Sequence, residues 1–177
     1  LIELVSFVFL RTPTDSVDVP DNQLSLIPFP IDDIFLEELK NFDVVFFDDF
    51  SHRAYFNPVY LDRVREFVRD GGGLAMLGGV RSFDSGGYGE SALKEVLPVE
   101  LDGKGGYQSG GDIRPVLTAS GKAHPITRLL PDPRINEEAW TKMPTLNGFN
   151  RVRGARGEVL LTAEGTVAGA PLLAIGR

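Results

Sequence analysis

The run FDVVFFDDF (42–50) constrains the fold more than any other stretch. Four apolar residues follow its first acid without a polar break, and paired acids end it. Such two-sided hydrophobicity predicts a central parallel strand covered by helices on both faces. The next segment, NPVYLDRVREFVRDGGG, has proline near its start, glycines after its end, and an apolar stripe of Tyr60, Leu61, Val64, Phe67 and Val68. That is the signature of a helix with favourable termini. LAMLGG then reads as a second short buried strand. Asp32 and Asp33 stand where caps belong, ahead of a helical pattern in IFLEELKNF. The middle of the chain thus alternates strand and helix, which predicts a doubly wound, mostly parallel α/β sheet with helices on both faces.

The flanks are less regular. LIELVSFVFL (1–10) reads as a buried strand, and QLSLIPFP (23–30) as a short extended segment, because its prolines forbid a helix. Residues 102–111 read as a glycine-rich loop or hairpin, followed by a strand in DIRPVLTA. SALKEVLPVEL reads as a short helix closed by proline. The stretch from His124 to Gly154 reads as proline-punctuated and irregular. EVLLTAE and APLLAIG read as a closing antiparallel pair, an antiparallel C-terminal extension to the parallel core. The whole, residues 1–177, is expected to be one domain. The chain opens without methionine directly on an apolar run, which suggests a piece of a longer polypeptide.

Charge and composition narrow the function classes. A net charge of −7 argues against nucleic acid, whose phosphates demand a basic face. No apolar run approaches the roughly 20 residues that cross a bilayer. The chain has no cysteine, which removes disulfides, thiolate metal sites and every cysteine nucleophile.

In an open parallel sheet, ligands sit beyond the carboxyl ends of the strands. Two such ends stand out, DDFSH and GGVRSFDSGGYG. The candidate ligand-binding residues are therefore Asp48, Asp49, His52, Gly78, Gly79, Arg81, Ser82, Ser85, Gly86 and Gly87. Asp48, Asp49 and His52 have the chemistry of an acid–base or metal site, although the second acid of such a pair commonly caps a turn. Ser82 and Ser85 are candidate hydroxyl nucleophiles, but the chain has no G-x-S-x-G elbow. It also lacks the phosphate-loop motif and, beyond a loose echo in GGYGES, the dinucleotide fingerprint, so no cofactor and no metal is expected. Backbone amides of the glycine loop offer a second possibility, a small anionic ligand. Tight packing is the simpler role for these glycines.

Read together, the block GGGLAMLGGVRSFDSGGY (71–88), the upstream LSLIPFP and FDVVFFDDF, and the downstream HPITRLLPDP, MPTLNGFN and PLLAIGR resemble the glutamine amidotransferase-like domain of large bacterial membrane proteins. The resemblance implies a flavodoxin-like, class I amidotransferase-type fold. It also implies a water-soluble domain within a membrane-anchored parent, whose other domains would be its partners. Class I glutaminases carry a cysteine in a G-x-C-x-G elbow, with histidine and glutamate later in the chain. The corresponding turn here is AMLGGVRS, and Met76, Leu77 and Gly78 hold the places of the nucleophile. None can replace a thiolate. The expected activity is therefore that of a non-catalytic binding or interaction module, with a hydrolase using an Asp48, His52 and Ser82 rim as the alternative.

Overall fold

A computed structural model describes residues 2–6, 30–54 and 56–176. Its first unit follows from the pattern in the middle of the chain. Strand β1 (Val44–Asp48) pairs in parallel with β2 (Gly73–Leu77), in a register running from Val44 opposite Gly73 to Asp48 opposite Leu77. Helix α1 (Pro58–Arg69) makes the crossover. The Asn57 side chain accepts a hydrogen bond from the Val59 amide at 3.1 Å, and Pro58 occupies the first turn, where its missing N–H costs nothing. At the other end, the Gly72 amide donates to Phe67 and the Gly71 amide to Val68, with Gly71 at φ 104°. This is the paired-carbonyl closure for which glycine is the favoured residue. Leu61 and Val64 are fully enclosed beneath the helix.

The second half is antiparallel. Two-residue β3 (Val99–Glu100) pairs with β6 (Gly154–Ala155). Strands β4 (Tyr107–Leu117), β5 (Leu146–Asn150), β7 (Glu158–Glu164) and β8 (Pro171–Ile175) form a sheet in the order β5-β4-β7-β8. Between β4 and β5 lie α2 (Ala119–Ala123) and α3 (Pro133–Thr141). One core lies between α1, β1 and the glycine loop, and is rich in rings: Phe35, Phe47, Phe56 and Tyr88 are buried there. A smaller core of Ile113, Phe149 and Ala163 belongs to the four-stranded sheet.

The α/β class and the antiparallel C-terminal half agree with the sequence reading, and several details do not. Among the described strands only β1 and β2 are parallel, and the eight strands divide among three sheets rather than one doubly wound sheet. Among the described residues, strand β1 is covered on one face only. Phe47 is buried, whereas Val44 and Phe46 on the alternate face are 46% and 63% exposed. Asp32 does not cap its helix; its carboxylate accepts the Tyr60 hydroxyl at 2.5 Å, and that helix is π-type over Asp33–Glu38. The expected loop or hairpin at 102–111 is already strand from Tyr107, because Gly110 and Gly111, with φ of 87° and 98°, form a bulge instead of ending the pairing. The segment read as irregular contains α3, whose Asp132 side chain accepts from the Arg134 and Ile135 amides ahead of a first-turn proline. SALKEVLPVEL yields a 3-10 turn, Ala92–Glu95, and then β3. Residues 2–6 form no regular element; the rest of the expected first strand and most of QLSLIPFP lie outside the described residues.

Candidate functional site

The turn after β2 is the place where the sequence reading concentrates its candidates, and side chains from three parts of the chain close it. Asn150, at the end of β5, faces Gly79. Its Oδ1 accepts the Gly79 amide at 2.8 Å, and its Nδ2 donates to the Gly79 carbonyl at 2.8 Å and to the Ser82 carbonyl at 3.4 Å. A backbone amide only donates and a carbonyl only accepts, so this pairing fixes the orientation of the Asn150 side chain. Asp49, at φ 41° just beyond β1, accepts the Arg81 amide at 2.6 Å. The Ser82 hydroxyl, 1% exposed, donates to the Leu77 carbonyl at 2.5 Å. Gly79 is required where it stands, because a Cβ there would lie 2.2 Å from Asp49 Oδ1.

The loop beyond folds back on itself. The Gly86 amide donates to the Ser82 and Phe83 carbonyls, the Gly87 amide to Asp84, and the Tyr88 amide to Phe83. A Cβ on Gly86 would lie 2.1 Å from the Arg81 carbonyl oxygen, so a larger residue has no room there. Buried Asp84 accepts the Gly103 and Gly105 amides, both at 3.1 Å, and Ser85 Oγ accepts the Tyr107 amide at 2.9 Å. These two side chains tie the glycine loop to the start of β4. The Tyr88 hydroxyl, within the ring cluster, donates to the Phe50 carbonyl at 2.9 Å, and burial pushes its pKa well above the ordinary range.

His52 lies in a 3-10 turn (His52–Ala54) whose neighbour Ser51 donates to the Gly86 carbonyl at 3.3 Å. Its ring is 5.0 Å from that of Tyr88, and its Nε2 is enclosed without a hydrogen-bond partner among the described residues. Burial pulls the imidazole below its ordinary pKa of 6.5; the Gly87 backbone and Glu90 oppose this, and Arg53 adds to it.

The fold therefore brings Asp49, Gly79, Arg81 and Ser82 into one closed turn, and His52 against Gly87 and Tyr88. Among the described residues no hydrogen bond joins His52 to a hydroxyl: Ser82 Oγ donates to the Leu77 carbonyl, and Ser85 Oγ accepts the Tyr107 amide. Asp48 is exposed at the end of β1. The amides of Gly79, Arg81, Ser82, Gly86 and Gly87 already have acceptors within the chain, so an anion here would compete with existing bonds. Among the described residues no group of three or more acids and histidines could hold a metal ion. Sequence reasoning missed Asn150 and Asp84. Asn150 lies 71 residues from the turn it holds, and no spacing rule connects them. Asp84 offered a signal, an acid set among glycines, where its side chain readily takes backbone amides.

No helix of the described residues is long and apolar enough to cross a membrane. Comparison with curated proteins and with solved structures returns no match. The family described as GATase1_like, "Putative glutamine amidotransferase", matches residues 30–177, most of the length, and the chain belongs to that family.

Proposed function

We propose that this glutamine amidotransferase-like domain is a binding or interaction module that does not hydrolyse glutamine, carried by a longer membrane-anchored protein whose other domains are its partners. The observation that carries the reading is the state of the turn after β2. Met76, Leu77 and Gly78 offer no nucleophile, the chain has no cysteine, and Asn150, Asp49 and Ser82 staple the turn shut. A thiolate at such a turn must be exposed to attack a carboxamide, whereas the hydroxyl here is buried and donates to a carbonyl. The same bonds weigh against a hydrolase built on Asp48, His52 and Ser82, because a general base must reach the proton it removes. The parallel β1-α1-β2 unit supports a sheet of flavodoxin type as the common scaffold. The test is direct. The protein, incubated with glutamine, should release no ammonia above a buffer blank, and release that scales with protein concentration would overturn the proposal.

A further inference from the structure

The four-stranded sheet is bent, and the bend opens a cleft away from the glycine turn. Strand β4 pairs with β5 over Tyr107–Ser109, passes through the bulge at Gly110 and Gly111, meets β5 again at Ile113 opposite Leu146, and pairs with β7 from Arg114 onward. Two arms result. One carries Gln108 and the segment following Phe149; the other carries β7, β8 and their connecting turn. The space between them is about 510 Å³, within the range of small-molecule sites. Its walls are mainly apolar, with Val152, Val159 and Val167 contributing, and Gln108 and Thr162 add hydrogen-bonding groups.

The charges at this cleft distinguish one occupant. Two arginines line it. Arg151 is engaged, donating to the Lys104 carbonyl at 3.0 Å. Arg153 is 70% exposed and, among the described residues, has only a long contact, 3.9 Å from its Nε to Glu100, which leaves most of its five donors for another acceptor. In a chain of net charge −7, an apolar cleft with a loosely paired guanidinium beside it favours a molecule with the opposite arrangement. We propose that the cleft between the sheet arms binds a small amphiphilic carboxylate, its hydrocarbon part over the valines and its head at Arg153. Asn150 also lines the cleft while its side chain holds Gly79, so occupancy is felt at the glycine turn. The proposal is independent of whether the turn is inert toward glutamine, and the two are read by separate assays.

Calorimetric titration of the full chain with decanoate, below its micelle concentration, tests it, with decanol as the uncharged comparator. Saturable 1:1 binding of decanoate is expected, about tenfold tighter than decanol, with the preference abolished by Arg153→Gln. Gln108→Trp, at an exposed strand position, should weaken decanoate at least tenfold while circular dichroism is unchanged. Thr162→Trp fills the same space from the opposite arm and serves if the first variant misfolds. The amide resonance of Gly79 should shift on binding. Absence of saturable binding overturns the proposal. So does binding that survives both tryptophan variants, or that is lost in Phe46→Lys, which would move the site to the exposed face of β1.

Discussion

Replacing Asn150 by leucine tests whether the turn after β2 is held by a side chain or would keep its shape unaided. The leucine side chain is close in size and equally suited to a position that is 8% exposed. What is removed is the pairing with Gly79, an acceptor for its amide and a donor for its carbonyl, each at 2.8 Å, together with the longer bond to Ser82. A buried backbone group left without a partner costs about 1–3 kcal/mol. Gly79 is half-buried, so water recovers part of that cost, and two groups together give roughly 2–4 kcal/mol. For a chain of this length the loss corresponds to roughly 5–15 °C in melting temperature. Asn150→Asp separates the two halves of the pairing. It keeps the acceptor for the Gly79 amide but turns a carboxylate oxygen toward two carbonyls. Protonation restores a donor, so the folded-state pKa of the new acid is raised. The stability it contributes is present below its unfolded value and lost as pH rises through the folded one. Its deficit against the parent should therefore narrow as pH falls. Urea denaturation followed by far-ultraviolet circular dichroism at several pH values measures both effects. If the leucine variant lies within about 0.5 kcal/mol of the parent, the turn is self-supporting and the clamp argument fails.

Gly79→Ala should cost about 2 kcal/mol, because its Cβ displaces Asp49 from the Arg81 amide; in an Asp49→Ala background the further cost should shrink, which a double-mutant denaturation cycle reads. Tyr88 has its pKa raised above the ordinary 10.0 by burial, so its contribution to stability is intact below that pH and lost as pH rises past it. Of the four tyrosines, Tyr88 should show no phenolate absorbance until the protein unfolds, and Tyr88→Phe should remove that delayed step. A gradual titration of Tyr88 in the folded protein would contradict its burial.

What the sequence conveyed about the fold depended on how local the determining chemistry was. The unit β1-α1-β2 was legible because each of its boundaries is marked within a few residues: Asn57 and Pro58 at one end of the helix, Gly71 and Gly72 at the other. Strand β4 was cut short in the reading because Gly110 and Gly111 signal a turn and a bulge equally well, and only pairing to β5 decides between them. Helix α3 was missed because Pro133 was counted as a breaker, although proline just after an aspartate is also how helices begin. The exposed side of β1 was not legible at all. Its residues are as apolar as Phe47, and burial there depends on which elements the rest of the chain brings over each face.

The candidate site shows the same division at longer range. The glycines at 78, 79, 86 and 87 marked where the backbone turns tightly, since that demand is local. The residues that fix the shape of those turns come from elsewhere: Asp49 reaches 32 residues along the chain, Ser85 reaches 22, and Asn150 reaches 71. Those reaches also decide the chemistry. A nucleophile needs a side chain free at the turn, with a base beside it, and here the side chains of Asp49, Ser82, Ser85 and Asn150 are each bonded to a backbone group. Ser82 and Ser85, the candidate hydroxyl nucleophiles of the sequence, both help to hold the loop, Ser82 as donor to Leu77 and Ser85 as acceptor from Tyr107. A thiol introduced at Leu77 or Gly78 would therefore enter a turn whose neighbouring polar side chains already hold backbone groups, and activation would need one of them to give up that bond.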